Sequence, residues 1–226
     1  MRILVHTVPE RMWYVSGYLV PQLLEQGADP GCIRITRDDA RLGNLEATMR
    51  SFEKLAGVDG GTWHLQDDIL LASNFVETAE SFEGCDEIIC GFAVDDFDAA
   101  LYKTGHVPQC FLWLSFPCIY IPNRIAAGCA AYYRGSQGKS PDYQRLAALR
   151  KGDDSAFWAY VHNEHKHEWG WNLDPNLCEH VDHLLGGSLV NPTREAGKAH
   201  AKYFPEPEAV ERLADRINNR IRARSL

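Results

Sequence analysis

No stretch of the chain approaches the ~20 consecutive apolar residues needed to cross a bilayer. The first residues, MRILVHTVPER, turn polar after position 5 and are too short for a secretion signal. No segment repeats, and none is of low complexity. Basic residues are outnumbered, 23 Lys and Arg against 31 Asp and Glu, giving a net charge of −8. That excludes a chain-wide nucleic-acid coat, which needs excess cation to meet phosphates. No CxxC pair occurs among the seven cysteines, and Cys90, Cys110, Cys118 and Cys129 sit inside apolar runs. An odd count in such places reads as buried free thiols in a reducing compartment, so the expectation is a cytoplasmic protein with no membrane partner.

Three catalytic signatures are missing as well. Thr7-Val8-Pro9-Glu10-Arg11, after the first apolar run, has no glycine, so it is no Gly-rich phosphate loop. The histidines at 162, 165 and 167 match neither HExxH nor HxxEH, which excludes a zinc protease and leaves a solvated helix face.

What is present is ordinary globular material: 226 residues, 45% hydrophobic and 11% aromatic, enough for one core. Strand and helix patterns alternate through the first half. Ile3 to Val8 reads as a strand and Met12 to Gln26 as a helix, with Val15, Leu19 and Leu23 at helical spacing. Cys32 to Thr36 is a second strand. Asn44 to Leu55 is a helix bracketed by Gly43 and Gly57. Thr62 to Leu65 is a third strand, Asn74 to Phe82 a helix and Glu87 to Val94 a strand. This rhythm predicts an α/β fold with a mostly parallel sheet flanked by helices.

Further on, Cys110 to Ile121 is an apolar run broken by Pro117, and Ile125 to Tyr133 reads as a helix. Residues 134 to 142 are polar and Gly/Ser-rich, which predicts a loop able to close over a ligand. Asp153 or Asp154 caps a helix predicted to run through His167. The last helix, Glu208 to Arg224, carries Val210, Leu213, Ile217 and Ile221 on one face and Arg212, Arg216 and Arg220 on another. That stripe is either a solvated, packed helix face or a place to dock a phosphate backbone.

The third strand ends in Gln66-Asp67-Asp68. Ligands of open α/β sheets bind at the carboxyl ends of strands. Paired carboxylates there are hard oxygen ligands suited to Mn²⁺ or Mg²⁺. Asp153 and Asp154 are candidates to accept a proton from an attacking hydroxyl. His180 and His183, in Pro175 through His183, are candidates for metal or phosphate contact.

Taken in order, these pieces resemble the GT-A-type nucleotide-sugar glycosyltransferases, especially small bacterial and phage-like ones. The resemblance rests on Gly43 and Asn44 before a helix and on the DxD-like Gln66-Asp67-Asp68. Ile119 to Arg124, Asp153-Asp154, and Pro175 through His180 followed by Ser188 complete it. It covers residues 1 to 192 as one domain, with a Rossmann-like nucleotide-binding half (1–100) and an acceptor half (101–192); 193–226 is a basic, amphipathic tail helix. The resemblance implies that Asp68, beside Asp67, holds the metal and donor diphosphate, and that His180 completes the metal site. It places Thr36, Arg37 and Asp38 near the nucleotide, with Asn44 and Gln66. Asp153 or Asp154 would be the base of an inverting transfer. The implied donor is a nucleotide sugar, most often a UDP-sugar; the acceptor is a hydroxyl, with a modified DNA base one possibility. A nucleotidyltransferase and a non-catalytic nucleotide-binding module remain as alternatives.

Overall fold

The computed structural model describes residues 1–92, 116–136, 153–165, 170–173, 175–187 and 204–224. Its centre is a six-stranded sheet. In chain order the strands are β1 (Ile3–Thr7), β2 (Ile33–Arg37), β3 (Gly61–Gln66), β5 (Ile88–Cys90), β6 (Cys118–Pro122) and β7 (Gly170–Asn172). Two short strands, β4 (Ile69–Leu71) and β8 (Cys178–His180), pair antiparallel as a separate ribbon. Across the main sheet the order is β2-β1-β3-β6-β5-β7. β1 runs parallel to β2 and β3, and β5 parallel to β7; β6 alone is reversed, between β3 and β5. The mostly parallel α/β sheet expected from the sequence is the one observed.

Helices cover both faces, as a parallel sheet requires. On one side lie α1 (Met12–Tyr14), a π-helical turn (Val15–Leu19), α2 (Val20–Glu25), α4 (Phe75–Ser81) and the last helix, α7 (Pro207–Arg224). Their Tyr14, Leu19, Leu23, Phe75, Leu213 and Ile217 pack with Ile3, Val5, Trp63 and Leu65 of the sheet. On the other side lie α3 (Asn44–Glu53), α5 (Asn123–Ser136) and α6 (Asp153–Glu164). Met49, Phe52, Ile125 and Phe157 pack there against Ile119 and Ile121. The two clusters take alternate residues of the strands, the period-two consequence of the pleat.

The π turn has a local cause. Pro21 has no N–H, so the helix cannot keep its regular bond there; Val20 instead donates back to Val15 O. Gly17 lies in this turn, and a Cβ on it would stand 2.8 Å from Arg220 Nη1. The guanidinium of Arg220 thus crosses the first helix and lies 5.3 Å from the ring centre of Trp13, while that of Arg216 lies 5.1 Å from Tyr18. Two of the three stripe arginines are spent holding the tail helix down, with Arg212 exposed beside them.

Several boundaries moved. Residues 134–136 continue α5 rather than starting a loop; 137–142 lie outside the described residues. Helix α6 ends at Glu164, and His165 follows it, 2.6 Å from the Tyr160 hydroxyl, not on a solvated helix face. His167, Ser188, Cys110 and residues 93–94 lie outside the described residues. The six described cysteines are all unpaired thiols. Among the described residues, no helix is long and apolar enough to cross a membrane.

Candidate functional site

Because β1, β2 and β3 are parallel, their carboxyl ends share one sheet edge. The segments leaving that edge, with the first turns of α3, enclose a cleft of about 520 Å³. Thr36, Asp38, Asn44, Gln66, Asp67 and Asp68 all line it, together with His6, Arg11 and Thr48. Arg37 does not; it pairs with Asp39 at 2.6 Å, half exposed.

The walls are built by backbone bonds. Asp38 N donates to Thr7 O at 2.9 Å, tying the end of β2 to that of β1. The Asp38 carboxylate accepts from Leu42 N (2.9 Å) and Gly43 N (3.0 Å), closing the loop before α3. Gly43 enters that helix at φ +87°, a conformation that costs a side chain and not a glycine. Arg41, at φ +51°, reaches over the mouth to an ion pair with Glu10.

The acids sit in the turn between β3 and β4. Val8 N donates to Asp67 Oδ2 at 3.2 Å, and Val181 N donates to Asp68 O at 2.7 Å. Pairing of β4 with β8 puts Ile69 opposite His180 and so sets the imidazole beside Asp68. His180 Nε2 lies 3.4 Å from Asp68 Oδ2, and Nδ1 lies 3.4 Å from Asp182 Oδ1. Of His180 and His183, it is His180 that this strand pairing sets against Asp68.

Arg11 completes the cluster. It is only 2% exposed. Its Nη2 donates to Gly187 O at 2.6 Å, and its Nη1 lies 3.4 Å from Asp68 Oδ2 and 3.9 Å from Asp67 Oδ1. Sequence pattern alone does not single it out. The available signal was its place in the first turn after β1, at the ligand-binding edge of the sheet.

The charged groups of this cluster shift one another. Burial raises the Asp67 carboxyl to about 6, with the Asp68 charge adding to it and Arg11 opposing. Burial also penalises the Asp68 charge, but His180 and Arg11 more than offset it and hold the group below its usual range. His180 loses charge stability to burial, yet Asp68 and Asp182 lift it to about 10.

A hard cation fits one corner of this arrangement. Asp68 Oδ1 is buried with no hydrogen-bond partner, while the other oxygen of the same carboxylate, Oδ2, faces the His180 ring. One unspent carboxylate oxygen beside an imidazole suits Mn²⁺ or Mg²⁺. Among the described residues, no three His, Cys, Asp or Glu side chains form a complete ligand set. The chain thus offers Asp68 and, once it gives up the proton that Asp68 and Asp182 hold on it, His180; the remaining positions would fall to a bound phosphate and water.

The acids of α6 sit elsewhere. Asp153 is 4% exposed, behind the cleft wall. Its Oδ1 accepts from Asn44 Nδ2 (2.6 Å) and Asp154 N (3.0 Å), and its Oδ2 from Thr48 Oγ1 (2.9 Å). Burial and the neighbouring Asp154 charge raise it to about 7. Asp154 is half-buried at the same helix start.

No family model matches the chain, and no curated protein matches it. Some solved structures are distantly similar. A197 from STIV is 15% identical over 80% of this chain and 86% of that one, with a TM-score of 0.43. S. aureus TarS 1-349, in complex with UDP-GlcNAc, is 12% identical over 79% of this chain, with a TM-score of 0.45; the chain spans 57% of the length of that TarS chain. A putative glucose-1-phosphate thymidylyltransferase from Bacillus anthracis is 9% identical over 67% of this chain and 84% of that one, with a TM-score of 0.35. At these identities and TM-scores the likenesses carry no argument about activity, which is read from the site itself.

Proposed function

We propose that the protein is a divalent-metal-dependent glycosyltransferase that moves a sugar from a nucleotide-sugar donor, of the UDP-sugar kind, to a hydroxyl acceptor. One observation carries the reading: Asp67, Asp68, Arg11 and the nucleotide-side residues Thr36, Asp38, Asn44 and Gln66 line a single cleft, with His180 against Asp68. In this reading Thr36, Asp38 and Asn44 face the nucleoside, and Gln66 and Asp67 face the diphosphate. Arg11 donates to a diphosphate oxygen. Asp68 and His180 hold Mn²⁺ or Mg²⁺, which when bound neutralises charge on the diphosphate leaving group.

The acceptor-side base belongs to the Asp153-Asp154 pair. Asp153 spends both oxygens on Asn44, Thr48 and Asp154 N. In this reading one carboxylate of the pair takes the proton of the attacking hydroxyl, giving inversion at the anomeric carbon. A DNA acceptor would have to engage the exposed Arg212 and Arg222, and salt-sensitive DNA binding lost in Arg212→Ala/Arg222→Ala is its check.

The turn Pro9–Arg11 is a single 3-10 turn without glycine, with little backbone to wrap a triphosphate. This favours a diphosphate donor over a nucleoside triphosphate. The test is turnover: release of nucleoside diphosphate from a nucleotide sugar with Mn²⁺ supports the reading. Release of pyrophosphate from a nucleoside triphosphate and a sugar phosphate would replace it with nucleotidyl transfer.

A further inference from the structure

His6 and His64 form an imidazole pair at the base of the cleft. His6 lines it from β1; His64, in β3, is fully buried. The rings stack with centroids 5.4 Å apart, and His6 Nε2 is 3.0 Å from His64 Nδ1. One proton lies between those nitrogens. His64 Nε2 is buried without a partner, beside the Phe52 ring whose centroid is 5.0 Å from that of His64. If His6 donated, His64 would carry its own proton on Nε2, an N–H buried against aromatic carbon. The reverse arrangement leaves only a lone pair there, and orphaned buried N–H groups are the rarer of the two. His64 therefore donates from Nδ1, His6 accepts at Nε2, and the His6 proton sits on Nδ1. Burial holds His6 down to about 4 and His64 well below its usual value, so both rings stay neutral. His6 thus offers the cleft a hydrogen-bond donor and no acceptor.

Asn44 offers the opposite polarity. Asp153 Oδ1 accepts from Asp154 N, a group that can only donate. With Asp153 ionised, Asn44, 2.6 Å from that same oxygen, also donates, through Nδ2. Its amide is thereby locked with Oδ1 as the remaining acceptor.

We propose that His6 and Asn44 read the donor's nucleobase, and that they select a lactam edge, a ring N–H beside a carbonyl, as in uracil, thymine or guanine. This rests on the nucleotide-cleft reading above and adds to it the residues that discriminate. The base carbonyl accepts from His6 Nδ1–H, and the ring N–H donates to Asn44 Oδ1. Cytosine and adenine present an amino group beside a ring lone pair, the reverse polarity, so each contact becomes donor to donor or acceptor to acceptor.

Calorimetric titration of the full chain with UDP, GDP, CDP and ADP in Mn²⁺ tests this, on wild type, His6→Phe and His6→Gln. Wild type is expected to bind UDP or GDP at least tenfold tighter than CDP and ADP. His6→Phe should shrink that gap to about threefold or less; His6→Gln, which keeps a donor, should restore most of it. Affinity for inorganic pyrophosphate should be the same in all three proteins. A wild-type preference for CDP or ADP, or an undiminished gap in His6→Phe, overturns the inference and leaves the nucleotide cleft standing. If none of the four binds, the nucleotide-cleft reading falls and takes the inference with it. Independently, ¹⁵N imidazole spectra of the ligand-free protein should show the His6 proton on Nδ1. A proton on Nε2 overturns the inference whatever the nucleotides do.

Discussion

Replacing Asp153 with Asn should make the protein more stable at neutral pH, by an amount that vanishes in acid. The native carboxyl titrates at about 7, against 3.8 for the exposed group. The folded value is raised, so the unfolded chain releases this proton first. The stabilisation is therefore complete below 3.8 and is lost as pH rises toward 7. About three units at 1.36 kcal/mol each sets an upper limit of about 4 kcal/mol, and relaxation of the site brings a realistic figure nearer 2. Asn keeps the local bonds: its Oδ1 can accept from Asn44 and Asp154 N, and its amide can donate to the Thr48 hydroxyl. Urea unfolding from pH 4 to 8 measures the difference. The two proteins should agree within about 0.5 kcal/mol at pH 4, and the variant should lead by about 2–4 kcal/mol at pH 8. Parallel curves across the range would refute the argument, because they would mean that the buried carboxyl does not carry the shift.

Arg11→Met should cost about 3–5 kcal/mol of stability, since it strands buried carboxylates, and Arg11→Lys should recover part of that; denaturant midpoints decide. Gly128→Ala, in the middle of α5, would gain about 1 kcal/mol in a free helix. Here its Cβ would lie 2.1 Å from the Tyr160 hydroxyl oxygen, so the variant should lose about 1–3 kcal/mol, and adding Tyr160→Phe should return part of it. Arg220→Ala should lower stability by about 1 kcal/mol through loss of its stacks on Trp13 and Tyr18, with little response to salt.

Much of the sheet was legible because its signals are local. Ile3, Val5, Leu65 and Gly43-Asn44 announce their elements by apolar runs and glycine punctuation, and the acids at 67 and 68 follow an abrupt strand end. What escaped depends on pairing across the chain. β4 and β8 are three residues each, too short for a period, and become strands only by pairing with one another. That pairing, not the spacing of His180 and His183, brings the His180 ring to Asp68. The reversal of β6 is likewise invisible in an apolar run that would suit either direction. Arg11 looked like part of a glycine-free turn, and its burial follows from Gly187, 176 residues away. Asp153 reads in the sequence as an acid at a helix start, and its tie to Asn44 and Thr48 emerges only from the packing of α3 against α6.

The central claim is that Asp68 and His180 hold a divalent cation against the diphosphate of a nucleotide sugar. Thermal unfolding with nucleotide diphosphates and nucleotide sugars, each with Mn²⁺ and with chelator, tests it most directly, because a ligand bound only by the native state raises Tm. The account predicts that at least one nucleotide sugar raises Tm with Mn²⁺, and that the rise disappears with chelator and in a folded Asp68→Asn protein. A rise that persists in chelator, or one unchanged by Asp68→Asn, would contradict it.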